Sequence, residues 1–512
     1  MADSKREIAR TYETTGAARL PDLTRVAGVA SVVHRGAIAL DAVHYDTEDL
    51  RLTAGSLALC QRTGGPDAGW HLTFTVAPDT RDDLRAPPSD TLPRSLARLL
   101  RSRVRDGALV PVVRLLGTRD VHHLNGADGT LLAEVSVDTV RAERPDGGGT
   151  TAAWTTIEAV LADDGDPALL DLVGRRLRRA GAHPSTAPSG LARALAATDP
   201  DRLPPNARAG GAPGPAAPAD AGDHVLAYLR AQTEAIVALD PAVRRDLPDS
   251  VHRMRVATRR LRSALRTYRK ILDRNVTDPV GDELKWLAAE LGAGRDQEVL
   301  DARLRAALDD LPRTLALGPV RARLRIWSTA RRRGSGARVL AALDGERYLA
   351  LLDRLDALLA EPPLLPAASG APGRALPRAV LKEYARLAAR VDRARDLPPG
   401  HDRDLALHDV RKAAKRARYA AEAARPALGK PAERFAGRMK ELQTLLGDHQ
   451  DSVVARDALR DLAVRAHAAG ETSFTWGLLH GREEATAAAR ERRLPEVWRR
   501  ASRPKLRRAW EG

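Results

Sequence analysis

The chain changes its hydrophobic rhythm near its middle. Over the first 200 residues apolar and polar positions alternate with the period of two that marks β-strands, as in His71-Leu72-Thr73-Phe74-Thr75-Val76. In Glu134-Val135-Ser136-Val137-Asp138 the polar residues Glu134, Ser136 and Asp138 share one face, and in Thr156-Ile157-Glu158-Ala159 the residues Thr156 and Glu158 do the same. Two helical stretches, about 92–105 and 166–180, interrupt the strands. The pattern predicts an α+β domain whose sheet turns a polar face inward, as in a barrel that holds a ligand. From about residue 223 to 510 the period becomes that of helices, in long Ala, Leu and Arg stretches with few β-branched runs, and an all-α region is expected. Residues 199–222, crowded with Pro, Gly and Ala, read as a linker between the two.

Composition sharpens this picture. A length of 512 residues calls for a multidomain protein, and an apolar content of 43% excludes wholesale disorder. The single cysteine, Cys60, excludes a disulfide scaffold and a multi-cysteine metal site. No apolar run approaches the ~18 residues of a membrane helix, and Met1–Glu7 carries no apolar leader, so a cytoplasmic protein is expected. The net charge of +16 is unevenly placed. Residues 1–220 hold 26 basic and 28 acidic side chains, whereas residues 221–512 hold 57 and 39. A coding bias toward arginine would act on both halves alike, so the net +18 of the helical half points instead to a polyanionic partner. No phosphate-binding P-loop, nucleophile triad or zinc ligand set is evident.

The basic residues of the helical half are ordered. On a helical wheel His252, Arg255, Arg259, Arg262 and Arg266 fall within about 80° of one another, opposite Met254, Ala257, Leu261, Ala264 and Leu265. The same wheel recurs with His408, Arg411, Lys415 and Arg418, opposite Val410, Ala413, Ala414, Ala417 and Ala421. Downstream of each lies a Leu-Gly segment, Leu291-Gly292 and Leu446-Gly447, followed by Asp296 and Asp451, 44 and 43 residues after the respective histidines. Two copies of one helical unit are implied, about 223–360 and about 378–510. Like charges three and four residues apart repel, so such a stripe calls for acids or an anion to neutralise it. Arginine suits phosphate through its planar, permanently charged fork, and successive stripe cations lie ~5–6 Å apart, a ladder for an extended polyanion. The histidines add a hydrogen bond or a pH-dependent charge.

This twice-occurring His-x-x-Arg-x-x-x-[Arg/Lys]-x-x-Arg stripe resembles the CHAD (conserved histidine α-helical domain) family, across residues 223–510. The resemblance implies a pair of helical bundles with pseudo-twofold symmetry, basic faces lining a central cleft, and association with inorganic polyphosphate. It carries binding roles onto His252, Arg255, Arg259, Arg262, His408, Arg411, Lys415 and Arg418, and Arg266 extends the first stripe. Within residues 4–198, several segments resemble the CYTH family of triphosphate tunnel metalloenzymes. They include Tyr45-Asp46-Thr47-Glu48, Arg62-Thr63-Gly64-Gly65, Gly69-Trp70-His71-Leu72, Val121-His122-His123-Leu124 and Glu134 to Val140. That resemblance implies an eight-stranded antiparallel β tunnel in which basic residues grip phosphates and acidic residues hold divalent metals that activate water.

The tunnel motif is eroded. The opening Glu-x-Glu-x-Lys of the family reads Glu7-Ile8-Ala9-Arg10-Thr11, and Arg10 points to the other face of the strand. Thr73 and Gly190 stand where lysines are expected. Residual tunnel positions are Glu7, Arg62, Arg114, Glu134, Asp138 and Glu158, with Leu116 and Thr118 in place of the basic residues after Arg114. The expectation is a tunnel without turnover beside a helical half that binds inorganic polyphosphate without a cofactor, and that follows polyphosphate granules in the cell. The alternative is an active triphosphatase or polyphosphatase using Mg²⁺ or Mn²⁺, with the helical half delivering substrate. A third reading is a nucleic-acid binder, disfavoured because the stripes carry no stacking aromatics.

Overall fold

The computed structural model describes residues 3–14, 19–65, 67–145, 147, 150–204, 207–208, 218–332 and 334–510. The chain forms two compact units, Met1–Pro215 and Ala216–Gly512. Much of the expected linker, at 205–206 and 209–217, lies outside the described residues.

The first unit contains strands β1 (Asp3–Thr14), β2 (Ser31–Asp46), β3 (Leu57–Arg62), β4 (Gly69–Ala77), β5 (Thr80–Ala86), β6 (Val110–Asn125), β7 (Leu131–Glu143), β8 (Ala152–Leu161) and the two-residue β9 (His183–Pro184). Four helices accompany them: α1 (Arg51–Ala54), α2 (Arg94–Val104), α3 (Ala168–Arg179) and α4 (Gly190–Thr198). The strands run antiparallel in the order β5-β4-β3-β2-β6-β7-β8-β1, and β5 pairs back onto β1, closing an eight-stranded barrel. Strand β1 makes the closure by dividing its length. Its first half pairs with β5 (Glu7↔Arg81) and its second with β8 (Thr11↔Glu158).

Alternation along each strand sends polar residues inward and apolar ones outward. Leu57, Leu59, Leu72 and Leu84 pack outside the wall against Leu96, Leu99 and Leu100 of α2. Tyr12, Val135, Ile157 and Ala159 pack outside against Leu170, Val173 and Leu177 of α3. The core of this domain is therefore a sleeve around the barrel, which leaves its lumen free for polar side chains. Helix α4 sets Leu191, Ala194 and Leu195 against Val113, Leu115 and Trp154 and closes one end. Asp46 is fully buried. Its carboxylate accepts from the backbone N–H groups of Thr47, Leu52 and Thr53 (2.7, 2.8 and 2.8 Å) and from Thr53 Oγ1 (2.7 Å), anchoring the short α1.

The second unit is all-α: α5 (Ala221–Arg244), α6 (Ser250–Thr267), α7 (Arg274–Glu290), α8 (Ala293–Asp309), α9 (Val320–Arg332), α10 (Ser335–Asp344), α11 (Glu346–Ala360), α12 (Pro372–Asp396), α13 (His401–Leu428), α14 (Lys430–Ala468) and α15 (Phe474–Ala501). The two predicted stripes lie on α6 and α13. Their apolar faces enter one shared core, Met254, Leu261 and Leu265 from α6 with Val410, Ala414, Ala417 and Ala421 from α13. The small alanines let the helices approach closely, and the Tyr268 hydroxyl donates to the Ala420 carbonyl (2.8 Å). Leu304, Trp327, Leu459 and Trp476 form a separate core among α8, α9, α14 and α15. No helix among the described residues is long and apolar enough to cross a membrane.

Candidate functional site: a cationic cleft and a self-neutralised tunnel

The barrel lumen, of about 570 Å³, has been wired shut electrostatically. Its described lining holds six arginine or lysine side chains against eight carboxylates, so it offers a polyanion no net attraction. Arg81 donates to Glu7 (2.9 Å) and Glu158 (2.6 Å). Arg119 forks onto Asp138 (2.9 and 2.6 Å) and reaches Glu158 (3.1 Å). Arg85 links Asp83 (2.8 Å) to Glu7 (3.4 Å). Burial alone would raise the Glu158 carboxyl, but Arg81 and Arg119 outweigh it and hold the group near 2. Burial pushes the His44 imidazole down to about 3, so it is neutral. Glu134 faces His123 at 3.5 Å.

This donor set does not fit a catalytic divalent cation. A hard metal needs several carboxylate oxygens free of competing cations, and Glu7, Asp138 and Glu158 are each engaged by arginine. Two groups among the described residues could hold a metal ion, His34–Asp120–His122 and Asp404–His449–Glu491, and neither lines the lumen. The second is already neutralised by Arg456 on Asp404 (2.6 Å) and Arg403 on Glu491 (3.2 Å).

Of the residual tunnel positions, Glu7, Arg62, Glu134, Asp138 and Glu158 face the lumen. Arg114 does not. Opposite Val43, it sits on the outer face of β6 and forks onto Asp41 (2.9 and 2.7 Å), whereas Leu115 and Arg119 point inward. The inward register of β6 is thus one residue away from the one expected. Arg10 lies outside as expected, bonded to Asp79 (2.8 Å) and Asp171 (2.6 Å). Arg81 and Arg85 were not singled out from the sequence, because their role depends on β5 closing onto β1.

The helical unit has the opposite character. Helices α6 and α13 face each other across a cleft of about 820 Å³, lined by nine arginine or lysine side chains against only Asp296 and Asp451. His252, Arg255, Arg259, Arg262 and Arg266 line it from α6, and His408, Arg411 and Lys415 line it from α13. Lys412, Arg416 and Arg303 join them. Arg418 is outside the lining. Its guanidinium is held by Glu422 (2.6 Å) and by Gln443 (3.1 Å). The corresponding i+4 position after Arg262 is Arg266, which offers no such partner.

Most of the cleft cations are unsatisfied. Arg259, Arg262, Arg266, Arg411 and Lys415 have no hydrogen bond or ion pair among the described residues, and the buried Nε atoms of Arg255 and Arg411 lack acceptors. Burial and crowding lower the pKa of Arg259, Arg262 and Lys415. Burial, then Arg259, Arg411 and Arg255, push Lys415 down to about 7. Burial and the neighbouring Arg255 and Arg411 lower Arg259 as well. Burial also lowers His408 and raises Asp451. Among the described residues, Arg255 is the one stripe arginine lining the cleft that has a fixed partner, forking onto Asp296 at 2.7 and 3.0 Å. Gly292 makes room for Arg255, whereas a Cβ on its counterpart Gly447 would leave Arg411 at an ordinary van der Waals distance. A Cβ on Gly292 would lie 3.0 Å from Arg255 Nη2, and one on Gly447 would lie 3.7 Å from Arg411 Nε.

Residues 227–460 match the CHAD domain family. The helical unit contains a CHAD domain. Ahead of the CHAD module the chain carries a closed eight-stranded antiparallel barrel, the fold that the CYTH resemblance implies. Along nearly its whole length the chain is similar to uncharacterized proteins from two strains of Mycobacterium tuberculosis, CDC 1551 / Oshkosh and ATCC 25618 / H37Rv. It is 38% identical to each over 507 residues, covering 96% of this chain and 95% of the relative. Among solved structures, PptA from Streptomyces chartreusis superimposes with a TM-score of 0.47 at 24% identity, covering 55% of this chain and 99% of that one. The CHAD domain from the plant Ricinus communis gives 0.43 at 26%, covering 56% and 92%.

Proposed function

We propose that this protein binds inorganic polyphosphate in the cleft between α6 and α13, and that its tunnel performs no hydrolysis. The observation that carries the reading is the set of unpartnered guanidinium and ammonium groups converging on one cleft. Desolvated like charges are costly, and a polyanion that threads between them supplies the missing acceptors. The cleft needs no metal or cofactor for this. Among the described residues Tyr419 is the one Phe, Tyr or Trp side chain lining it, which gives bases little to stack on and favours a bare phosphate chain over nucleic acid. Competition at matched salt tests the assignment. Long-chain polyphosphate is expected to displace labelled single-stranded RNA or DNA, and a preference for nucleic acid at physiological salt would overturn it.

Asp296 acts on this reading as an internal competitor, since it occupies Arg255 where a phosphate would sit. Asp296 is 69% exposed, so solvent screens the pair and its release costs only about 1 kcal/mol. Asp296→Asn is therefore expected to tighten polyphosphate binding about five-fold, measured by isothermal titration. The tunnel makes an independent expectation. Phosphate release from tripolyphosphate with Mg²⁺ or Mn²⁺ should not exceed that of a Glu7→Ala/Glu158→Ala control, because arginines hold the carboxylates. Turnover clearly above that control would favour the triphosphatase alternative.

A further inference from the structure

A third cationic ridge runs along α12. Arg374, Arg378, Lys382, Arg386 and Arg390 recur every fourth residue, the spacing of a helix-surface ridge, over ~24 Å of axis. Arg374, Arg378 and Lys382 are exposed and have no hydrogen bond or ion pair among the described residues. The other end of the ridge meets the cleft. Arg386 pairs with the buried Glu383, Arg390 donates to the Arg386 carbonyl (2.9 Å), and Arg416, which lines the cleft, reaches the same Glu383 (3.4 Å). One buried carboxylate is thus shared by a ridge arginine and a cleft arginine, and it leaves both partly uncompensated. Two further cations face the middle of the ridge, Arg269 and Lys270 from the turn after α6. Arg269 lowers the pKa of the exposed Lys382 most, with partial desolvation, Arg386 and Lys270 adding to it.

We infer that the α12 ridge is a second, contiguous anion-binding track that carries a linear polyphosphate out of the cleft. This rests on the cleft reading above and adds a length requirement to it. A short oligophosphate fills the cleft alone, whereas a long chain also lies along Lys382, Arg378 and Arg374. The exposed ridge cations contribute mainly through screened, additive charge.

The test compares two probes on the full chain, tripolyphosphate and long-chain inorganic polyphosphate, against an Arg374→Glu/Arg378→Glu/Lys382→Glu variant. All three positions are exposed, so an unchanged circular dichroism melt confirms folding. The variant is expected to lose about ten-fold in affinity for the long chain, with a shallower dependence on salt, and to bind tripolyphosphate as before. Equal losses for both probes, or no loss for either, would overturn the track while leaving the cleft assignment standing. Failure of the wild-type chain to bind either probe would remove the cleft reading and the track with it.

Discussion

Replacing Arg259 and Arg411 with glutamine should weaken polyphosphate binding by at least ~100-fold and at the same time raise the melting temperature. The two effects have one origin. Each guanidinium sits in the cleft without an acceptor, so each has a charge-assisted phosphate contact to offer, worth about 2 kcal/mol, and two such losses correspond to roughly three orders of magnitude at most. Without ligand the same groups repel Arg255, Lys415 and each other, with Asp296 and Asp451 as the acidic counterweights. Removing them relieves repulsion worth on the order of 1 kcal/mol, or about 2–4 °C in a unit of this size. Titration calorimetry and a thermal melt on the same preparation read both. A variant that lost binding and melted lower would show that the arginines hold the cleft together rather than wait for a ligand. Opposite movement of the two quantities is the signature of a site held ready at the expense of stability.

The second large effect is on pH. Lys415 titrates near 7 in the empty cleft because of burial and three flanking arginines. Phosphate oxygens beside it would restore its ordinary value near 10.5, so binding above pH 7 must take up a proton. Affinity is then highest below pH 7 and falls as pH rises, by up to ten-fold per pH unit, until the pKa of the bound form is reached. The empty protein shows the reverse trend. Between 7 and 10.5 the unfolded chain holds a proton on this lysine that the folded chain lacks, so this group makes folding more favourable as pH rises through that window. Lys415→Arg keeps the charge and abolishes the titration, and its affinity should be nearly flat between pH 7 and 9. A wild-type affinity that does not decline over that range, measured at constant ionic strength, would show that Lys415 does not contact the ligand.

The cleft was legible in the sequence because its information is local. A helix repeats every 3.6 residues whatever surrounds it, so His252 to Arg266 and His408 to Lys415 could be placed on one face each from spacing alone. Duplication then supplied the second wall. Arg418 escaped that logic for an equally local reason, the glutamate four residues on. The tunnel was less legible because its chemistry is non-local. Nothing near Arg81 in the chain shows that it will bridge Glu7 and Glu158, 74 and 77 positions away. Arg119 could have been found had the alternation of β6 been anchored on Leu115 instead of Arg114. The missing carboxylates and lysines of the tunnel motif were visible residue by residue, but the arginine bridges among the remaining carboxylates were not.

The outward-facing core of the barrel has one more consequence. Leu59, Leu72 and Ile157 bind the wall to α2 and α3 from outside, while Arg62, Asp138 and Glu158 project into the lumen, whose apolar packing is gathered under α4 at one end. Natural selection for folding and selection for chemistry therefore act on alternate residues of the same strands. Such a scaffold can abandon one chemistry, drift through intermediates and adopt another lumen without ever passing through an unfolded ancestor.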